Sequence, residues 1–322
     1  MTDPSGIDKL GCYLMAGAAA DPSTITEEAA RAESLGFGTA FISERFNVKE
    51  AIALSGAAVA STSRIRVATA ATNHNTRHPL VSASAAMTLH RMSSGRFTLG
   101  LGRGIEPIFD LAAIPRITTA QMEDFVGLMR RLWRGEVVIG HDGPAGSYPL
   151  LQLGSEFDDE IQMLLCGFGP NSLALGGRCF DAVVLHTYFT DETTARAVTA
   201  VRESAERAGR DPESVRVWSC FATIGDHLDE AARLRKTVGR LASYLQGYGD
   251  LLVRTNGWDP ALLDRFRADE TVSQFLSAID ASATTEQLEA IAEVVPQEWL
   301  EPSATGSADQ CAGSVKAQFD LG

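Results

Sequence analysis

"TITEEAARAESLG" at residues 24–36 runs directly into "FGTAFIS" at residues 37–43. The first half reads as a helix. Thr24 or Thr26 stands as its cap, Glu27 and Glu28 fall in its first turn, and Gly36 follows its end. The second half is a short apolar run without proline, which reads as a strand. A helix that hands over to a strand across one glycine is a piece of an alternating α/β chain.

The same alternation extends in both directions. Strands are expected at 7–17, 64–72, 96–102, 160–167, 181–186 and 215–225. Helices are expected at about 49–61, 79–93, 118–134 and 192–209. In the third of these helices Met122, Phe125, Val126, Met129 and Trp133 recur at helical spacing. Residues 135–160 are rich in Gly, Pro and Asp and read as an insertion loop or lid. Residues 226–295 read as an inserted helical region. Repeated strand–helix units without a sequence repeat imply a parallel sheet, and seven strands suit a (β/α)8 barrel, a TIM barrel, in one domain spanning 1–322. An eighth strand is missing. "SADQCAGSVKAQFDLG" reads as the helix before it, so that strand is expected beyond the end of the chain.

Composition narrows the function. The chain has 322 residues, 45% hydrophobic, with a net charge of −13. It has no basic stripe, so nucleic acid and anionic membrane surfaces are not expected partners. No apolar run is long enough to span a bilayer, and the N-terminus lacks the pattern of a signal peptide. The five cysteines are scattered, with no C-x-x-C, as expected for small buried thiols in a reducing cytoplasm.

In such a barrel the chemistry sits at the C-terminal ends of the strands. The polar or glycine residues just past them are Glu44 and Arg45, Asn73 to His78, Arg103, Gly167 to Gly169, and His186 with Thr187. A plain structural reading pairs Glu44 with Arg45 across the rim. The glycine-rich turn at 166–169 leads from a strand into a helix, where backbone N–H groups and the helix dipole suit an anion. "GLGRG" (100–104) either clears space for a flat ring or makes a tight turn. His74 and His78 have no third partner at metal-ligand spacing, so no metal site is expected and their roles are structural or substrate-side.

The strand-end residues carry a resemblance. "AESLGFGTAFISERF", "TNHNTRHPLVSASAAMTLHRMSSGRFTLGLGRG" and "GPNSLALGGRCFDAVVL" resemble stretches of the luciferase-like flavin/deazaflavin superfamily. The match is specifically to its coenzyme F420-dependent oxidoreductases of actinobacterial, mycobacterial type. The resemblance implies a barrel whose mouth holds the cofactor ring, with hydride moving between coenzyme F420 and a small-molecule substrate. It also implies a cytoplasmic homodimer. Glu44 is then the acid beside the ring, and Arg45 stands where many relatives carry a histidine. Arginine stays protonated and is a poor general base, so it is expected to hold negative charge. Glu44, Arg45 and Asn73 take the catalytic positions. A non-proline cis peptide is implied at Ala70–Ala71, so Thr69, Ala70 and Ala71 line the ring. The cofactor phosphate falls near Gly167, Phe168 and Gly169, with His186 or Thr187. His74, Arg103 and Glu106 are placed on the substrate side, Glu106 being adjacent to Ile105 where some relatives carry an acid. The alternatives are an FMN-dependent monooxygenase of the same superfamily and a non-catalytic flavin or deazaflavin carrier.

Overall fold

The computed structural model describes residues 6–16, 21–46 and 48–321. The chain divides into two compact units. The first comprises the described residues up to Val184 together with Val201–Arg216. The second comprises Leu185–Ala200 and the chain from Val217 onward.

The first unit is an all-parallel sheet with helices between its strands. Its strands are β1 (Gly11–Tyr13), β2 (Thr39–Ile42), β3 (Arg66–Thr69) and β4 (Phe97–Gly102). An excursion, β5 (Val138–Gly143) and β6 (Gly146–Leu151), precedes β7 (Gln162–Cys166) and β8 (Ala182–Val184). The sheet order β1-β2-β3-β4-β7-β8 follows the chain, and β9, which begins at Arg216, comes next. Sequential order with every pair parallel is the order of a (β/α)8 barrel. The helices of this unit are α1 (Ile25–Ser34), α2 (Ala51–Ala60), α3 (Pro79–Met92), α4 (Glu106–Leu111), α5 (Thr119–Trp133) and α6 (Pro170–Cys179). Every residue of β2 and β4 is buried, as expected where helices cover both faces of a parallel sheet. Ile42, Val67, Leu99, Leu101 and Leu165 from the strands share one core with Phe125, Met129 and Trp133 of α5.

The opening stretch folds as its residues dictate. Helix α1 ends in a Schellman turn. The Phe37 N–H donates to Ala32 O and the Gly36 N–H to Glu33 O, with Gly36 at φ +90°. The side-chain cap is not on the helix itself: Asp21 accepts from the Ser23 N–H at 2.9 Å, in the 3-10 turn that leads into α1. Glu33, in the last turn, reaches across to the approach to β3. Its carboxylate accepts from the N–H groups of Ser63 (2.9 Å), Arg64 (2.5 Å) and Ile65 (2.9 Å).

The second unit is mostly helical. It contains β10 (Thr223–Gly225), which pairs in parallel with β11 (Ala304–Gly306). The strand expected over 215–225 is therefore two strands, Arg216–Trp218 and Thr223–Gly225, and the second belongs to a separate small sheet. Residues 219–222 between them are irregular. The inserted helical region is present, with Arg240–Asn256 and Pro260–Ala268 its longest members. Trp258 stacks on Trp299 at 4.7 Å. Residues 135–160 also differ from the loop expected there. They hold the antiparallel hairpin β5–β6, in which His141 faces Tyr148 and Gly143 faces Gly146 across a Pro144–Ala145 turn. The Gly, Pro and Asp content marked that turn, and the β residues flanking it make the ladder. "SADQCAGSVKAQFDLG" forms the helix expected there, Ala308–Gln318, with a capping box from Ser307 and Gln310. No helix among the described residues is long and apolar enough to cross a membrane.

Burial works to raise the Glu33 pKa, but the hydrogen bonds from Ile65, Arg64 and Ser63 outweigh it and hold the carboxyl at about 2. A folded pKa below the unfolded one gives stability that is complete above the unfolded pKa and is lost as pH falls toward 2. Glu33→Gln is expected to lower the urea midpoint at pH 7 and to flatten its decline between pH 5 and 2.5. Equal slopes for the two proteins would remove Glu33 from the acid transition.

Candidate active site

Three chain segments meet at the C-terminal ends of β2, β3 and β4. Between β3 and β4 the register holds through Val67↔Phe97 and Ala68↔Thr98, then resumes at Thr72↔Leu101. β3 therefore carries one residue more than β4 over this span, a bulge at Thr69–Ala71. On the β2 side, Ala70 N–H donates to Ile42 O, but Glu44 N–H then donates to Ala71 O. The Ala70–Ala71 peptide is cis, at the position the resemblance implied.

Thr69 bridges the bulge with its side chain. The Thr69 hydroxyl accepts from Gly100 N–H at 2.7 Å and donates to Gly100 O at 2.8 Å. It is fully buried, and its hydroxyl substitutes for ladder bonds. Gly100 and Gly102 on β4 are required by closeness. A Cβ at Gly100 would overlap the Thr69 carbonyl, and one at Gly102 would sit 3.0 Å from Ala71 Cβ. The centre of the strand ends is thus walled by Ala70, Ala71 and two glycines, with little side chain to fill it.

Glu44 is not paired with Arg45. Its Oε1 accepts from the Ala51 N–H at the start of α2 (3.0 Å), and its Oε2 accepts from Thr72 Oγ1 (2.8 Å) and Arg77 Nη2 (3.1 Å). The Glu44 side chain is 4% exposed. Arg77 also donates to Thr72 Oγ1 at 2.6 Å and pairs with Glu50, which caps α2. The rim ion pair is therefore Glu44–Arg77–Glu50. The sequence offered Arg45 because it is adjacent, but neighbours along an extended segment point apart, whereas the chain brings Arg77 back from the loop after β3. The Arg45 side chain has no ion pair or hydrogen bond among the described residues, while its backbone pairs with Lys49.

The remaining predicted residues of the first unit fall into three settings. Asn73 is buried and donates from Nδ2 to Gly102 O at 2.8 Å, which ties the ends of β3 and β4 together. His74 is buried, stacked on Phe125 at 5.0 Å, and its Nε2 has no hydrogen-bond partner. Burial, and then the nearby Arg103 charge, lower its pKa to about 4, so the ring is neutral at pH 7. Arg103 turns toward the start of α5, donating to Ile117 O at 2.6 Å and Thr119 Oγ1 at 2.7 Å. Glu106 is exposed and paired with Arg116 at 2.7 Å. Gly167 N–H donates to Val184 O at 3.1 Å, and the loop Gly167–Phe168–Gly169 leads into α6, whose first turn no side chain caps. That leaves the N-terminus of α6 able to receive an anion.

His186 and Thr187 lie in the second unit. His186 Nδ1 is 2.9 Å from Thr187 O, and Nε2 is 2.5 Å from the Tyr248 hydroxyl. The ring stands edge-on to Tyr244 and Tyr248 at 4.5 and 4.9 Å. Burial lowers its pKa to about 4, against the Thr187 hydrogen bond. Thr187 Oγ1 lies 3.4 Å from Cys220 Sγ. Sequence reading did not single out Thr72, Glu50 or the two tyrosines, and it took in Arg77 only as part of Asn73 to His78. Arg77 had a local signal, since a buried acid needs a cation. Tyr244 and Tyr248 are about sixty residues from His186 and had none. Among the described residues no three His, Cys, Asp or Glu side chains cluster as metal ligands.

Comparison with known proteins bears on this geometry. Residues 9–322 match the family of luciferase-like monooxygenases. A 5,10-methylenetetrahydromethanopterin reductase of Methanolobus tindarius is 25% identical over 306 residues, covering 92% of this chain and 87% of the relative. Among solved structures, the coenzyme F420-dependent tetrahydromethanopterin reductase of Methanopyrus kandleri superposes with a TM-score of 0.76 at 20% identity, over 97% of this chain and 90% of that one. An F420-dependent secondary alcohol dehydrogenase with an F420–acetone adduct gives a TM-score of 0.71 at 20% identity, over the same shares of both chains.

Thr69→Val keeps the shape but leaves the buried Gly100 N–H without a partner. It is expected to destabilise the protein by about 1–3 kcal/mol in denaturant unfolding, with Thr69→Ser near wild type. Equal stability for the valine variant would mean that the hydroxyl does not bridge the bulge. For His74, a folded pKa near 4 against 6.5 unfolded gives stability that is complete above pH 6.5 and is lost as pH falls through 4. His74→Phe keeps the stack on Phe125 and is expected to reduce the loss of thermal stability between pH 6.5 and 4.

Proposed function

The chain belongs to the luciferase-like monooxygenase family, and from that premise we propose that it is an oxidoreductase moving hydride between coenzyme F420 and a small organic substrate. The observation that carries this reading is the side-chain-poor wall at the strand ends, Ala70, Ala71, Gly100 and Gly102, with the Glu44 carboxylate fixed beside it. A flat tricyclic ring needs such a wall. The uncapped N-terminus of α6 after Gly167–Gly169 fits the cofactor's phosphate. The F420-dependent proteins among the solved structures, and the reductase of Methanolobus tindarius, support the same reading.

When bound, the cofactor supplies the hydride acceptor or donor. The residues of the chain bind, orient and stabilise charge. Both Glu44 oxygens are occupied by donors from α2, Thr72 and Arg77, so Glu44 holds a negative charge at a fixed place and keeps the strand ends in register. Asn73 fixes the end of β3 against β4. Arg45, whose side chain has no ion pair or hydrogen bond among the described residues, faces the substrate and stabilises negative charge on its oxygen. We further propose that the protein works in the cytoplasm as a homodimer. The five free thiols support the compartment and the family resemblance supports the dimer.

Fluorescence titration with coenzyme F420 and with FMN tests the reading. Saturable F420 binding, tighter than FMN, is expected. Tighter FMN binding would move the protein to flavin monooxygenase chemistry. Tight F420 binding with no hydride transfer over a panel of alcohols, aldehydes and ketones would make it a carrier. Arg45→Ala is expected to lower turnover roughly 10–100-fold while F420 affinity stays within about twofold. The reverse pattern would put Arg45 on the cofactor.

A further inference from the structure

The second unit holds a cleft of about 350 Å³ between the helix Pro260–Ala268 and the segment that follows the helix Thr285–Ala292. Leu262 and Arg265, three residues apart on one face of the first helix, form one wall. Residues 292–298 form the other. Both walls are anchored in the core of this unit. Leu263 and Phe266 of the first helix are buried, as are Ile291, Val295 and Trp299 on the other side, and Trp299 is stacked on Trp258. A cleft whose walls are fixed before a ligand arrives costs little ordering on binding.

Its lining carries both signs of charge. Arg265 stands on one wall, Glu293 and Glu298 on the other, and all three are exposed. None of the three side chains has an ion pair or hydrogen bond among the described residues. Arg267, on the same helix as Arg265, does pair, with Asp250 at 2.6 Å. The cleft therefore holds a cation and two carboxylates apart, across a gap too wide for a direct bond. Glu293 also stands at the C-terminal end of the helix Thr285–Ala292, where the helix dipole adds negative potential. Much of the remaining lining is apolar, Leu262, Val294 and Pro296 among it. A simple anion or a simple cation answers only half of this arrangement. A ligand with a carboxylate, an ammonium and a short aliphatic body answers all of it.

We infer that this cleft binds a small aliphatic zwitterion, with its carboxylate on Arg265, its ammonium on Glu293 and Glu298, and its methylenes over Leu262, Val294 and Pro296. The volume lies at the lower end for ligand sites and suits a molecule of amino-acid or dipeptide size. The site goes beyond the F420 reading and does not depend on it, since every lining residue belongs to the second unit.

The test is calorimetric titration of the full chain with ω-amino acids from glycine to ω-aminohexanoate, each beside the carboxylate and the amine of the same length. The zwitterion is expected to bind about three- to tenfold tighter than either singly charged analogue, with an optimum length set by the gap between the walls. Arg265→Gln is expected to remove the advantage over the amine. Glu293→Gln combined with Glu298→Gln is expected to remove the advantage over the carboxylate. These variants change exposed positions only, and circular dichroism checks their fold. Arg267→Gln, which breaks an ion pair of the same helix, is expected to leave the series unchanged. Absence of saturable binding across the series, or a zwitterion no tighter than its singly charged analogues, would overturn the proposal. So would an advantage that survives the cleft variants, or a loss in Arg267→Gln as large as that in Arg265→Gln.

Discussion

The Glu44 carboxylate is the point on which the strand ends depend. It accepts three hydrogen bonds, from the first turn of α2, from Thr72 after the β3 bulge and from Arg77 further along that loop. A charge that is 4% exposed is tolerable only when its donors are supplied by the protein. Because those donors come from segments distant in sequence, satisfying one acid fixes where each of them lies. Arg77 extends the lock to Glu50, so the cap of α2 and the end of β2 share a cation.

That lock works with the bulge beside it. The extra residue of β3 displaces the ladder by one position, and a displaced ladder leaves backbone groups unpaired unless something replaces the missing bonds. The Thr69 hydroxyl is both donor and acceptor to Gly100 and closes the gap. Thr72, restored to register opposite Leu101, can then aim its own hydroxyl at Glu44. The alanines and glycines between them are small because two backbones approach there, and that same smallness leaves room for a planar ligand.

Much of the architecture was legible along the chain. Apolar runs bounded by glycine and helices with capping patterns located β2, β3, β4, β7 and β8 to within a few residues, since these are local properties. The hairpin at 138–151 was hidden because Gly, Pro and Asp, read as loop residues, lie within the strands themselves as well as in the turn. The division of 215–225 into two strands was hidden because "VRVWSCFATIG" is mostly apolar with no proline or internal glycine to break it, and only the partner at Ala304–Gly306 shows that its second part pairs elsewhere. At the site, the polar and glycine residues past each strand singled out Glu44, Asn73 and Gly167–Gly169 as candidates, and the structure places Glu44 and Asn73 at the ends of β2 and β3. What each side chain does there was not legible. Thr69 was assigned to the ring and bridges a bulge; Arg103 and Glu106 were assigned to the substrate, but one binds the start of α5 and the other an exposed arginine.

By itself the sequence determined the alternation of helix and strand, the sequential parallel order that follows from it and the places where polar residues end the strands. These rest on periodicity, capping and turn chemistry, which act over a few residues. Only the tertiary structure decided that Glu44 answers to Arg77 and not to Arg45, whose side chain has no ion pair or hydrogen bond among the described residues. The physical reason is that a buried charge is neutralised by whatever donors the fold brings within hydrogen-bond reach, and sequence adjacency does not set that distance.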